Sequence, residues 1–247
     1  EFAVSYIGFN TAMPPFDDAR FRQALNHAID KEVIAKEVLS DLVQPAYGIL
    51  PPGFPGYTGN INGLVFDPDR ARTFLDASEY WDADTRPGIV ITVPGTGGAI
   101  GLDLEVILEM WKEVLGVEGE IQQIEWEMYL EALDAKKIQV FAGVGWQATY
   151  PDPHDLLDKL FRSESRMNYG SYTNVLVDDI LEDARTELDV PKRISLYHFV
   201  EQSLIDDAAW VPLWFTGDRY ALVKSHVKGY RLTPLVVPKL QYVYIDR

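Results

Sequence analysis

Between residues 88 and 145 the apolar residues change their period four times, and this alternation restricts the fold more than any other stretch of the chain. Residues 88–93 alternate β-branched side chains as a buried strand does. Residues 102–115 then repeat at helical spacing, with Leu104, Ile107, Leu108, Trp111, Val114 and Leu115 on one face and Gly116 as the stop. A strand is expected over 120–126, a helix over 128–135 and a strand over 138–145. Strand, helix, strand, helix, strand is the order that lets parallel neighbours be joined by crossover helices. The expected class is therefore α/β, a mixed β-sheet flanked by helices.

The chain has 247 residues, 47% of them hydrophobic, so it can bury a large core as one big domain or two small ones. Its formal net charge of −16 opposes binding to nucleic acid or to anionic lipid heads. No apolar run reaches the eighteen or so residues of a membrane span, so direct membrane insertion of this chain is not expected. No basic-then-apolar leader follows Glu1, so if the protein is exported its signal or lipid anchor lies upstream. The absence of cysteine removes disulfides, thiolate nucleophiles and thiolate metal sites.

The opening stretch adds detail. Tyr6-Ile7-Gly8-Phe9-Asn10 reads as a strand, Pro14-Pro15-Phe16-Asp17-Asp18 as a stiffened turn, and Phe21, Ala24, Leu25, Ala28 and Ile29 as one apolar face of an acid-capped helix. A second helix is expected over 31–39, capped by Asp30. Residues 44–63, rich in Pro and Gly, form a surface loop, and Asp67-Pro68 starts a helix through Ala77. Helices over 175–187 and 192–207 carry helical apolar spacing, with Asn174 as the cap of the first.

This order of motifs resembles the family 5 solute-binding proteins of ABC importers, the dipeptide, oligopeptide and nickel receptors. The resemblance rests on the aromatic-Asn strand end, the Pro-Phe-Asp-Asp turn, Arg20 and Arg22, the Ala28-Ile29-Asp30 closure, Pro51-Pro52-Gly53, Leu115-Gly116-Val117, Tyr150-Pro151-Asp152-Pro153 and the Arg193 helix. It implies the C-terminal lobe of a periplasmic binding protein of type II-like fold. Residues 1–15 would be the crossover strand entering the lobe, 16–225 the ligand-binding lobe, and 226–247 a return segment toward an N-terminal lobe outside this chain. The implied partners are a small-molecule or peptide ligand and the transporter's permease, with the chain ends together at the hinge. The implied location is periplasmic or extracytoplasmic, and no cofactor is implied.

The ligand site is sought at Gly145-Trp146-Gln147-Ala148-Thr149-Tyr150, a loop at a strand end. From the residues alone, Trp146 and Tyr150 read as core aromatics and Asp152 as a helix cap. The resemblance instead puts Trp146, Gln147, Thr149 and Tyr150 in the cleft, joined by Asn168 and Tyr169 of the next polar loop. In the family's peptide receptors the position of Thr149 commonly carries an aspartate that pairs with a peptide's α-ammonium. A hydroxyl cannot supply that charge-assisted bond. Unless Asp152 or Asp155 takes over, a neutral oligosaccharide or opine-like solute is as plausible here as a peptide.

Two other functional classes fit the sequence less well. The histidines His27, His154, His198 and His226 make no zinc pair, no Gly-x-Ser-x-Gly elbow is present, and the adjacent acids fall at helix ends, so a glycosidase-like enzyme is disfavoured. Gly95, Gly97, Gly98 and Gly101 fit neither a dinucleotide fingerprint nor a P-loop, and read as a turn. A protein-interaction surface would use the Pro-Gly loop through exposed Phe54 and Tyr57.

Overall fold

The computed structural model describes residues 1–98, 100–217, 221–235, 237 and 239–246. In chain order the elements are β1 (Ala3–Phe9), α1 (Ala19–His27), α2 (Lys31–Val33), β2 (Val43–Pro45), α3 (Pro68–Asp76), β3 (Ile89–Pro94) and α4 (Leu102–Leu115). They continue with β4 (Gly119–Ile124), α5 (Trp126–Asp134), β5 (Val140–Phe141), β6 (Trp146–Gln147), α6 (Asp158–Phe161), α7 (Val175–Thr186), α8 (Val190–Asp206) and β7 (Trp210–Thr216). A small hairpin of β8 (Val227–Lys228) and β9 (Tyr244–Ile245) lies in the tail.

Among the described residues one seven-stranded sheet runs β2-β7-β1-β5-β3-β4, with β6 paired to β1. β3 is parallel to both β4 and β5, while β1 is antiparallel to β5, β6 and β7. The strands between residues 88 and 145 pair in parallel, as their alternation with helices favours, and β1 and β7 from outside that stretch make the sheet mixed. Successive side chains on a strand face opposite ways, so β1 divides its residues between two apolar cores. Ile7 and Phe9 pack with α1, α3 and α4 on one face; Val4 and Tyr6 pack with α5, α6, α7 and α8 on the other.

The helix starts follow local chemistry. Side chains of Asp18, Asp30, Asp67, Asn174 and Asp189 accept N–H bonds from the first turns of α1, α2, α3, α7 and α8. Gly116, in the left-handed region at φ 62°, stops α4 at the expected residue. The face read for α1 is fully buried: Phe21, Ala24, Leu25, Ala28 and Ile29 are all 0% exposed. Burying a large apolar side chain of this kind contributes about 1.5–3 kcal/mol.

Arg22 explains one of the sequence motifs. Its buried guanidinium donates to Phe16 O at 2.7 Å, Asp207 O at 2.6 Å and Ala208 O at 3.1 Å, tying the Pro-Phe-Asp-Asp turn to the end of α8. The motif is thus a strut between distant segments.

Four expectations need correction. The helix over 31–39 is regular for one turn and then widens into a π turn over Ile34–Val38. Trp126 opens α5 and does not close a strand. The strand over 138–145 is reduced to β5, because Gly143 and Gly145 adopt φ of 86° and 70° and leave the ladder. Phe54 is buried edge-on against Phe2 at 5.0 Å, which leaves Tyr57 as the exposed aromatic of the Pro-Gly loop. Among the described residues no helix is long and apolar enough to cross a membrane.

Candidate functional site

The parallel strands β3, β4 and β5 end at Pro94, Ile124 and Phe141, and ligand crevices in α/β sheets form beyond such carboxyl ends. β1 begins and β7 ends at this same edge, since Val4 lies opposite Phe215 and Gly8 opposite Phe141. β6 continues the line of β5 along β1, with Trp146 opposite Val4, after residues 142–145 have bulged out. A Cβ on Gly145 would come within 2.7 Å of Val4 O, so only glycine lets the bulge close against β1.

The bulge and the glycine turn after β3 enclose a cavity of about 260 Å³, lined by Ser5, Tyr6, Gly101, Asp103, Gln123 and Trp214 among others. Two side chains shape the turn. Gln123 accepts a bond from Gly97 N at 3.1 Å, and a Cβ on Gly95 would meet the Gln123 amide at 2.8 Å. A Cβ on Gly101 would meet the Asp103 carboxylate at 2.2 Å. Burial pushes the Asp103 carboxyl up, against partial opposition from backbone N–H bonds. Sequence reasoning passed over Asp103 and Gln123, because only the fold brings them to this turn.

Beside the cavity lies the aromatic loop. Trp146 is half-buried, and among the described residues its indole N–H has no protein acceptor. Lys159 Nζ sits 5.3 Å from the Trp146 ring centre and 5.7 Å from that of Tyr150, a cation held on two π faces. The same ammonium pairs with Asp155 at 2.9 Å. Thr149 adds two bonds to Asp155, from its N–H and its hydroxyl, each 2.7 Å. Burial alone would raise the Asp155 carboxyl, but the bonds from Lys159 and Thr149 outweigh it and the net shift is downward.

The expected site residues thus separate. Trp146, Gln147, Thr149 and Tyr150 share one loop; Gln147 donates to the Glu1 carboxylate, and Tyr150 is 38% exposed with its hydroxyl 2.7 Å from His154 Nδ1. Asn168 departs from its expected ligand role. It is 1% exposed, and its amide is spent on Arg162 O, Tyr172 O and Tyr172 N, so it braces its own loop. Tyr169 is half-buried, edge-on to Phe141 at 6.4 Å. Neither substitute acid is free: Asp155 is 0% exposed, and Asp152 holds Arg193 through two 2.8 Å bonds. Asp152 also caps the short turn Pro153–Asp155, as the residues alone suggested.

The family model described as bacterial extracellular solute-binding proteins, family 5 Middle, matches residues 1–168. The chain belongs to this family. It is 28% identical to the probable di/tripeptide-binding protein 5 of Pseudomonas aeruginosa, over 94% of this chain and 44% of that protein. It is also 28% identical to heme-binding protein A of Haemophilus influenzae, over 98% of this chain and 44% of that one. Among solved structures, the periplasmic binding protein DppA of Helicobacter pylori, in complex with the peptide STSA, superposes over the whole chain and 48% of its own, with a TM-score of 0.86 at 24% identity. The fold is that of a type II periplasmic binding protein lobe. This family 5 chain spans about half the length of the relatives it matches.

Proposed function

We propose that the chain is the C-terminal lobe of the solute-binding component of an ABC importer. The observation that carries this reading is the shared edge: the cavity, the aromatic loop, the start of β1 and the end of β7 all lie at one end of the sheet. A second lobe joined there would close over the cavity, and ligand would favour the closed form by touching both halves. Phe2 N donates to Pro234 O at 2.8 Å, which supports a tail, 226–247, that returns beside the crossover strand, 1–15. The relatives' names, which are those of binding proteins, favour capture over catalysis and a location outside the cytoplasm, with delivery to a membrane permease.

The loop chemistry narrows the solute. Lys159 already occupies the cation position between Trp146, Tyr150 and Asp155, and the Thr149 hydroxyl donates its hydrogen bond to Asp155. A ligand meets an ammonium, ring faces, hydroxyl lone pairs and the Trp146 indole N–H there, and the loop's described carboxylates, Asp152 and Asp155, are already paired. The solute is therefore peptide-like or another small molecule that presents a neutral or anionic group to this loop. Calorimetry on the full-length protein with a tripeptide and its N-acetylated form tests this. Equal affinities, both weakened roughly tenfold or more (about 1.4 kcal/mol) by Trp146→Ala, are expected. A loss of that size on acetylation alone would overturn the reading of the loop.

A further inference from the structure

A second cavity, of about 440 Å³, lies under the Pro-Gly loop, and it shares no lining residue with the first. Its walls include Glu32, Tyr47, Gly48, Tyr57, Gly59 and Glu201. Glu201, on α8, is 2% exposed. Its Oε1 accepts N–H bonds from Ile49 at 2.7 Å and Leu50 at 2.9 Å, while among the described residues its Oε2 has no protein partner. A Cβ on Gly48 would come within 2.7 Å of Oε1, so the loop is glycine where it must fit around this carboxylate. A buried carboxylate oxygen without a donor is costly, and such groups normally pair.

We propose that this cavity is a binding site for a small organic cation carrying a primary ammonium, with Glu201 as its counter-charge. Three features select that chemistry. Two carboxylates, Glu32 and Glu201, and no cationic side chain line the cavity. Tyr57 offers a ring face, which attracts alkylammonium ions, whereas a face of Tyr47 is already covered by Lys31 Nζ, 5.2 Å from its ring centre and bonded to Ala46 O. Among the described residues no group of three or more metal-binding side chains exists, which disfavours a metal ion as the occupant. Burial holds the Glu201 carboxyl up at about 7, against the N–H bonds of Leu50 and Ile49, so capture of a cation there releases protons near neutrality. The site stands whether or not the cleft reading above is correct.

The test is an amide NMR titration of the protein with ethylammonium chloride, using potassium chloride at the same ionic strength as the control. Ile49 and Leu50 report directly, because their N–H groups bond Glu201. A saturable shift of both resonances with ethylammonium only, weakened roughly tenfold or more in Glu201→Gln, is expected. No saturable shift, an equal one with potassium, or one unchanged in the variant overturns the proposal. Should Glu201→Gln not fold, Tyr57→Ala, at a residue 38% exposed, replaces it. A loss of roughly threefold or more is then expected from removing a ring face, and an unchanged affinity is the overturning result.

Discussion

Asp155 and Glu201 are both buried carboxylates, 0% and 2% exposed, yet their chemistry diverges. Asp155 receives three donors, from Thr149 N–H, the Thr149 hydroxyl and Lys159, and its carboxyl is pulled below the usual range. Glu201 receives two, both on one oxygen, and its carboxyl rises to about 7. Desolvation is the first cause in each case, so burial does not decide the outcome. A nearby ammonium and the sharing of donors over both oxygens do. One acid is finished within its own loop; the other is left with capacity to spare.

The largest test of that contrast is Asp155→Ala. It strands Lys159 and two Thr149 donors, and should cost about 3–5 kcal/mol in denaturant unfolding. A cost below about 1 kcal/mol would mean that the triad is not coupled.

Glu201→Gln should act with the opposite sign. The folded carboxyl, at about 7, lies above its unfolded value of 4.5, so the group favours folding at low pH and this contribution is lost as pH rises from 4.5 through 7. Glutamine keeps the accepting oxygen without the charge. The variant should match the parent below about pH 4.5 and be more stable by up to about 3 kcal/mol above about pH 7. Equal stabilities across that window would erase the distinction between the two acids.

The smallest effect is expected from Thr149→Val, which removes one donor from Asp155 and keeps the N–H bond and Lys159. A loss of about 1 kcal/mol is expected, together with an upward move of the Asp155 titration followed by carboxyl NMR.

Much of the scaffold was legible because local rules and tertiary packing agree. α4 occupies residues 102–115 as read, since its apolar period and the left-handed glycine after it point the same way. The Asn174 and Asp67 caps were plain for the same reason. Misreadings came where one residue serves a partner far along the chain. Gly143 and Gly145 look like weak strand residues, but the contact between Gly145 and Val4 O makes them a bulge. Trp126 fits a strand period, but the strand ends at Ile124 and Glu125 alone separates it from the helix that Trp126 opens.

The candidate site was less legible than the scaffold. Trp146 to Tyr150 follow Gly145, which lines the cavity, but none of those five residues lines it, and Asn168 is consumed by backbone groups of its own loop. Asp103 and Gln123 were missed because each sits at an ordinary helix or strand position, and only the crossing of three segments gathers them. Glu201 was invisible for a similar reason: it reads as a polar residue in the middle of an amphipathic helix, and nothing local shows that loop 48–50 closes over it.

β1 and β7 lie side by side, with Val4 facing Phe215 at the edge where β1 begins and β7 ends. A pull along their length loads the whole backbone ladder of each at once. A force that pries them apart works on one rung at a time, beginning with that outermost pair. The two strands together form a strap whose end is clasped on both outer sides, by Trp146 of β6 beside Val4 and Gln44 of β2 beside Phe215.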